Sequence, residues 1–406
     1  MSAEVDKTET AEAGKPPRDT RALLREIAES NSLVVVLAVV ASLIIGGFLI
    51  VLASPAVEEA LGYFFARPAD TFKAAWDAVS SAYSAMFRGA VWNYNGDTFA
   101  QQFRPITETL TMATPLIFAG LGLGMGFRAG LFNIGAQGQM MIGAMLGAYV
   151  GFAWNLPPVL HLIVAVTACA LGGALWGFIP GILKARTGAH EVIVTIMLNY
   201  VAANLLGFAL SKDAFQRPGS DNPQSPAVAD SAAYPLILGD NYRLHLGFIV
   251  ALLAAVGVWW LMERSTWGFR FRAVGANPNA ARTAGMNVSI AIVGVMTIAG
   301  ALAGLAGSAQ ILGTERSLTA GIAGSFGFDA ITVALLGRSR PLGTVMAAIL
   351  FGGLRAAGPA LQVQAQLPID IVLIIQSLIV LFIAAPPLVR FLFRLPAPSR
   401  EKVVTA

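Results

Sequence analysis

The sequence predicts an all-α polytopic membrane protein with about ten transmembrane helices, and three observations carry that prediction. Hydrophobic residues make up 56% of the 406 and charged residues only 12%, against about 25% charged in soluble domains. Mean hydropathy is +0.68. The apolar residues gather in long continuous runs, whereas a transmembrane β-barrel alternates apolar and polar residues over segments of about ten.

Taken in order, residues 1–31 are polar and rich in Ala, Glu, Lys and Arg, and read as a cytoplasmic tail. Residues 32–388 form the transmembrane domain, and 389–406 a second cytoplasmic tail. Apolar runs fall near 33–53, 106–126, 131–152, 159–180, 191–210, 245–262, 289–312, 325–337, 341–358 and 369–385. The first is too long for a signal-peptide core and reads as a retained anchor, since about 20 apolar residues span a bilayer. The eighth is short and carries Asp329, which predicts a partial or broken helix buried in protein. Between the first two runs, the external segment 54–105 is dense in aromatics, including Phe64, Phe65, Trp76, Tyr83 and Trp92. That density predicts a helix at the membrane interface. Ser211 to Arg243 carries four prolines and reads as an ordered or semi-ordered outer loop.

Charge orients the chain. With a cytoplasmic N-terminus, eighteen of the 27 Lys and Arg fall in inside segments and eight outside, and Arg355 lies within or at the end of a span. This positive-inside bias predicts that both termini are cytoplasmic. The net charge of +4 is loop bias and implies no nucleic-acid partner. No G-x-x-x-x-G-K-[ST] occurs, so the chain has no P-loop for ATP. The glycines of "AGLGLGMG", Ala119 to Gly126, have no strand before them and read as a close helix contact. Cys169 reads as a small core side chain, and His161, His190 and His245 as boundary residues. No catalytic constellation or metal-ligand spacing is present in the sequence, which argues against an enzyme.

Two polar stretches stand out. "FRAGLFNIGAQGQMMIGA", Phe127 to Ala144, places Asn133, Gln137 and Gln139 at the start of the third run. Asn133 and Gln137 are four apart and are expected on one helix face, where they either line a wet pathway or bond neighbouring helices. Glu191, Asn199 and Asn204 of the fifth run pose the same choice, with Glu191 capping its helix or pairing with Arg186. Asp329 needs partners among Arg316, Arg338 or backbone N–H groups, as an anchor or as a substrate ligand. Gln310 and Glu315 sit at the outer end of the seventh run, placed to gate a pore or to meet an external partner. The second stretch is the basic loop "ERSTWGFRFRAVGANPNAARTAGMN", Glu263 to Asn287. Asn277 is a natural cap, Pro278 a natural first residue and Gly285 a stop, with Asn279 to Ala284 helical between them. Such a loop is a docking element or a surface connector.

With "GFIPGILKARTGAHEVIVTIMLNYVA" and "GFDAITVALLGRSRPLGTVMAAILFGGLRA", these stretches closely resemble the inner-membrane permeases of ABC importers for nucleosides and simple sugars. The wider group includes ribose and branched-chain amino-acid permeases. The likeness runs from about Ile106 to Ala385. It implies a fold similar to the cobalamin importer's transmembrane subunit, with two halves repeated in inverted topology, in a bacterial cell (inner or plasma) membrane. It implies an external substrate-binding lipoprotein, a second permease subunit (identical or paralogous), membrane lipid, and a cytoplasmic ABC ATPase that itself holds the ATP and Mg. No cofactor is expected in this chain. The cargo implied is a small polar solute, nucleosides first and simple sugars next. An ion-coupled secondary transporter is the alternative of another class, resting on Glu191 and Asp329 as intramembrane acids. On the resemblance, Asn133, Gln137, Gln139, Glu191, Asn199, Gln310 and Asp329 are pathway candidates. Arg272, Gly275, Asn277, Pro278, Ala280, Ala281, Arg282 and Gly285, within the loop 263–288, are candidates for coupling to the ATPase. Two positions depart from the usual pattern: His190 where Asn more often precedes the glutamate, and Gln137 where many members have Glu.

Overall fold

The structure is a computed structural model that describes residues 31–220 and 222–395. The expected N-terminal tail therefore lies almost wholly outside the described residues, and so does most of the C-terminal one. Helices run as α1 (Asn31–Ala53), α2 (Pro55–Leu61), α3 (Pro68–Ala90), α4 (Phe99–Arg128), α5 (Ala136–Ala153), α6 (Pro158–Thr187), α7 (Glu191–Leu210) and α8 (Gly247–Arg264). They continue as α9 (Thr266–Ala276), α10 (Pro278–Thr283), α11 (Val288–Ser308), α12 (Phe326–Leu336), α13 (Pro341–Gln364), α14 (Asp370–Ala384) and α15 (Pro386–Leu392). A π-helical turn, Ala309–Thr314, extends α11.

All ten apolar runs become helical, but not ten long spans. Among the described residues, seven helices are long and apolar enough to cross a membrane. The run 325–337 yields only the 11 residues of α12. At about 1.5 Å per residue, that is roughly half a bilayer core. The last run breaks at Ala385, where α14 and α15 meet at 96°, because Pro386 has no N–H to continue the helix.

The core is built around α4, whose residues from Ala113 to Gly126 are all buried. Leu116, Ile117 and Phe118 are 0% exposed on three consecutive sides, so this helix is apolar all round because protein surrounds it. It packs on α12 and α13, while α11 packs on α5 and α6. The glycines of Ala119–Gly126 serve close approach, as expected. A methyl group on Gly122 would meet the Ala299 backbone at 2.8 Å. The α6–α11 crossing is tighter still, since a methyl on Gly173 would lie 2.6 Å from Gly304 N. Small residues let dispersion contacts replace the hydrophobic driving force that lipid removes.

Segment 54–105 is mostly helical, with breaks at 62–67 and 91–98. α3 buries Thr71, Ala82, Ala85 and Met86 and exposes Phe72, Trp76 and Phe87. The Tyr83 hydroxyl donates to Leu43 O of α1. The stretch 222–243 adds a feature the hydropathy pattern hides. Its strand β1 (Gln224–Ala227) pairs antiparallel with β2 (Ser317–Thr319), with Gln224 opposite Thr319 and Ala227 opposite Ser317. His161 and His245 are both buried. His161 bridges Ser231 Oγ at 2.8 Å and Val150 O at 3.0 Å.

Candidate functional site: a break between helices and a capped peg

Between α4 and α5 the chain leaves helical geometry from Ala129 to Gly135, with Gly130 at φ +71°. A break within a membrane fold leaves backbone groups that lipid cannot satisfy. The predicted polar residues answer that need. Asn199 Oδ1 accepts from Gly138 N at 2.8 Å, and its Nδ2 donates to Ile134 O at 2.9 Å. Thr195 Oγ1 accepts from Ile134 N at 3.2 Å, and Glu191 Oε1 from Phe132 N at 3.5 Å. Asn133 Oδ1 accepts from Gly135 N at 2.8 Å and its Nδ2 donates to Gln139 Oε1 at 3.2 Å. Five of the seven pathway candidates, counting Gln137, thus converge on this one break.

Two expectations need correction here. Asn133 and Gln137 do not share a helix face, because Asn133 precedes α5. Its side chain bonds the backbone two residues on, a local closure that competes with helix. Glu191 pairs with Lys184 at 2.6 Å, not with Arg186. Gly188, at φ +72°, ends α6 with a left-handed turn that folds α7 back beside Lys184 and leaves Arg186 exposed. Thr195 was not singled out from sequence, yet Glu191, Thr195 and Asn199 repeat every four residues, and that stripe was readable.

Gln137 reaches across the molecule. Its Oε1 accepts from Gly327 N at 2.9 Å and its Nε2 donates to Gly324 O at 2.6 Å. It therefore joins the start of α5 to the start of the short helix α12. Asp329, in the first turn of α12, forms an ion pair with Arg355 of α13 and accepts from Gln376 Nε2 of α14 at 3.0 Å. Ser325 Oγ donates to the same carboxylate at 3.1 Å, and the Arg355 guanidinium lies 4.0 Å over the Phe326 ring. Arg316 is instead bonded to Asp230 at 3.2 Å. Arg338 lies nine residues on, past the far end of α12 and about 14 Å along its axis. Gln310 is in the π-turn and is 3% exposed. Glu315 is exposed.

In the basic loop, Asn277 Oδ1 accepts from Asn279 N and Ala280 N at 3.0 Å each, Pro278 opens the helix, and Gly285 leaves it at φ +80°. The basic stretch before it is itself helical, as α9. Asn277, Pro278, Ala280 and Arg282 are exposed. Ala281 is 4% exposed and faces inward, and Gly275 backs onto Ala129 and Gly130. These two residues seat the peg and are not its outer surface. Arg272 and Arg128 both pair with Glu263, at 3.7 and 2.7 Å.

Among the described residues, seven helices long and apolar enough to span a membrane, with a non-helical break between α4 and α5 and a capped helix in a basic loop, define a polytopic membrane protein. Residues 106–384 match the family described as branched-chain amino acid transport system, permease component, and the chain belongs to it. Curated relatives include a guanosine ABC transporter permease protein of Bacillus subtilis, 41% identical over 315 residues, covering 77% of this chain and 88% of the relative. A glucose ABC transporter permease protein of Haloferax volcanii is 36% identical over 296 residues (71% and 77%). A nucleoside ABC transporter permease protein of Lactococcus lactis is 33% identical over 326 residues (77% and 87%). No solved structure matches. The chain is thus an ABC transporter permease in the cell membrane, a transport component and not an enzyme, working with ATPase and substrate-binding partners. Family membership overturns the ion-coupled alternative. Its two acids are also neutralised internally, by Lys184 and Arg355.

Proposed function

We propose that this permease carries nucleosides inward. The observation that carries the reading is the 41% identity to a guanosine permease across most of both chains, joined by a second nucleoside permease at 33%. The glucose relative at 36% supports simple sugars as the second reading. Uptake of labelled guanosine, by vesicles holding the permease with its ATPase and binding protein, tests the choice. Inhibition by unlabelled nucleosides but not by glucose is expected, and the reverse pattern refutes it.

In this reading α7 faces a second permease subunit across the pathway. Most of α7 is left uncovered by the rest of this chain, and its outward face carries Tyr200, 65% exposed, and Asn204. Polar groups are costly against lipid, which favours a wet path or a protein neighbour there. The amides at the α4–α5 break then hold α7 in place from behind, and Gln310 borders the path at the outer end of α11. The exchange of partners between α4 with α12–α13 and α11 with α5–α6 supports inverted halves and a fold like the cobalamin importer's. The Lys and Arg asymmetry supports cytoplasmic termini and a cytoplasmic peg at Asn277–Gly285 for the ATPase, which would bind the ATP and Mg. Single cysteines at Asn222 and Asn279, in a Cys169→Ala background, should label from opposite sides of the membrane; labelling from one side refutes the orientation.

A further inference from the structure

A groove of about 570 Å³ runs between the last turns of α6 and α8, the start of α9 and the first half of α11. Its volume is in the range of ligand clefts, about 300–1,000 Å³. Ile182, Leu261, Ile290 and Val293 line it with hydrocarbon. Phe271, 1% exposed, closes its floor, and Gly294 opposite contributes no side chain to fill it. The groove lies at the ends of three membrane spans, within a belt of exposed Trp259, Trp260 and Trp267. Tryptophan concentrates at the headgroup level of bilayers.

The one charged residue that lines the groove is a cation, and a second cation lies beside it on Trp267. Arg186 lines the groove, is exposed, and has no ion pair among the described residues. Arg270 does not itself line the groove, but its exposed guanidinium lies 5.2 Å over the ring of Trp267, which does. The nearby acid, Glu263, is already held by Arg128 and Arg272, and no acid lines the groove.

We propose that this groove binds an anionic phospholipid, with an acyl chain along Ile182, Leu261, Ile290 and Val293 and the phosphate between Arg186 and Arg270. An apolar slot ending in unpaired guanidinium groups matches an amphiphile with one anionic end, and guanidinium planes suit phosphate oxygens. Such a lipid would brace α9, which leads directly into α10. The binding claim does not depend on the cargo or on the coupling role of α10.

The test uses the assembled transporter in vesicles of phosphatidylcholine doped with a photoactivatable phosphatidylglycerol that carries the reactive group on its acyl chain. The expected result is crosslinking at the groove residues that unlabelled phosphatidylglycerol competes away and unlabelled phosphatidylcholine does not. Arg186→Gln and Arg270→Gln should each weaken that competition about five-fold, as expected for loss of one basic residue near an anionic surface. Ile290→Trp, at the exposed rim, should block groove labelling while leaving the complex assembled. Equal competition by the two lipids, labelling indifferent to all three variants, or a groove labelled in the isolated chain but covered by protein in the complex would each overturn the proposal.

Discussion

Replacing Asn199 with Ala separates two roles that a membrane amide can play. In the wild-type chain its side chain satisfies two backbone groups at once, Gly138 N at 2.8 Å and Ile134 O at 2.9 Å. Gly138 lies in the first turn of α5, where N–H groups have no partner within the helix, and Ile134 lies in the break itself. Neither group has an obvious replacement, and Asn199 is 7% exposed, so water is not at hand. Leaving a buried polar group unmade costs about 1–3 kcal/mol. Side-chain hydrogen bonds between membrane helices average only about 0.6 kcal/mol, because the unfolded chain in a membrane also finds partners. The first figure is the better guide here, since both orphaned groups belong to a fixed non-helical backbone. Two such groups give an expected loss of about 2–6 kcal/mol.

Thermal unfolding of the purified complex in mild detergent, beside uptake in vesicles, measures both consequences. Asn204→Ala is the internal control. It removes the same residue type from the same helix, but a side chain that bonds only Tyr200 O of its own turn, at 2.8 Å. Its effect on stability should stay below about 0.5 kcal/mol, as for other exposed positions. If Asn199→Ala unfolds like wild type while uptake collapses, Asn199 is a cargo ligand and the scaffold argument is wrong. If Asn204→Ala lowers uptake without loss of stability, the outward face of α7 is the pathway.

Gly173→Ala should weaken the α6–α11 crossing, because its methyl would lie 2.6 Å from Gly304 N; overpacking costs about 1–3 kcal/mol, whereas Gly257→Ala, with nothing within 4 Å, should be neutral or slightly stabilising in the same unfolding assay. Arg355→Leu should destabilise by about 3 kcal/mol by stranding the Asp329 carboxylate, and the Asp329→Asn/Arg355→Leu double variant should recover part of it; a strictly additive double-mutant cycle would show that the pair is not coupled. Ala280→Glu, on the exposed side of α10, should impair ATPase co-purification and substrate-stimulated hydrolysis without loss of thermal stability, while Ala281→Glu should unfold the loop, since Ala281 is buried. Normal coupled transport by Ala280→Glu would place the ATPase contact elsewhere.

How much of this was legible in the sequence depended on the range of the interaction. The helices, the Asn277 cap and the Gly285 stop are set by hydropathy and by residues within a few positions, and the structure places them as the pattern implies. The polar residues were legible as anomalies, but their partners were not. Asp329 finds Arg355 and Gln376, 26 and 47 residues away, and Gln137 finds Gly327, 190 residues away. No local rule selects such partners. The packing of α12 among α5, α13 and α14 brings them together. The same limit explains Ala281: its smallness reads equally as a surface that admits a partner and as a side chain that fits beneath its own helix. The shortness of the 325–337 run was legible, and α12 has only 11 residues, but the tie of Gly324 and Gly327 to Gln137 at its start was not. What shortens α12 is an acceptor and a donor supplied by the other half of the molecule, and a family that places a carboxylate at position 137 would bind Gly327 N there but lose the bond to Gly324 O. The amide in this chain fastens both sides of the break, so the two inner helices are expected to move together when the pathway opens.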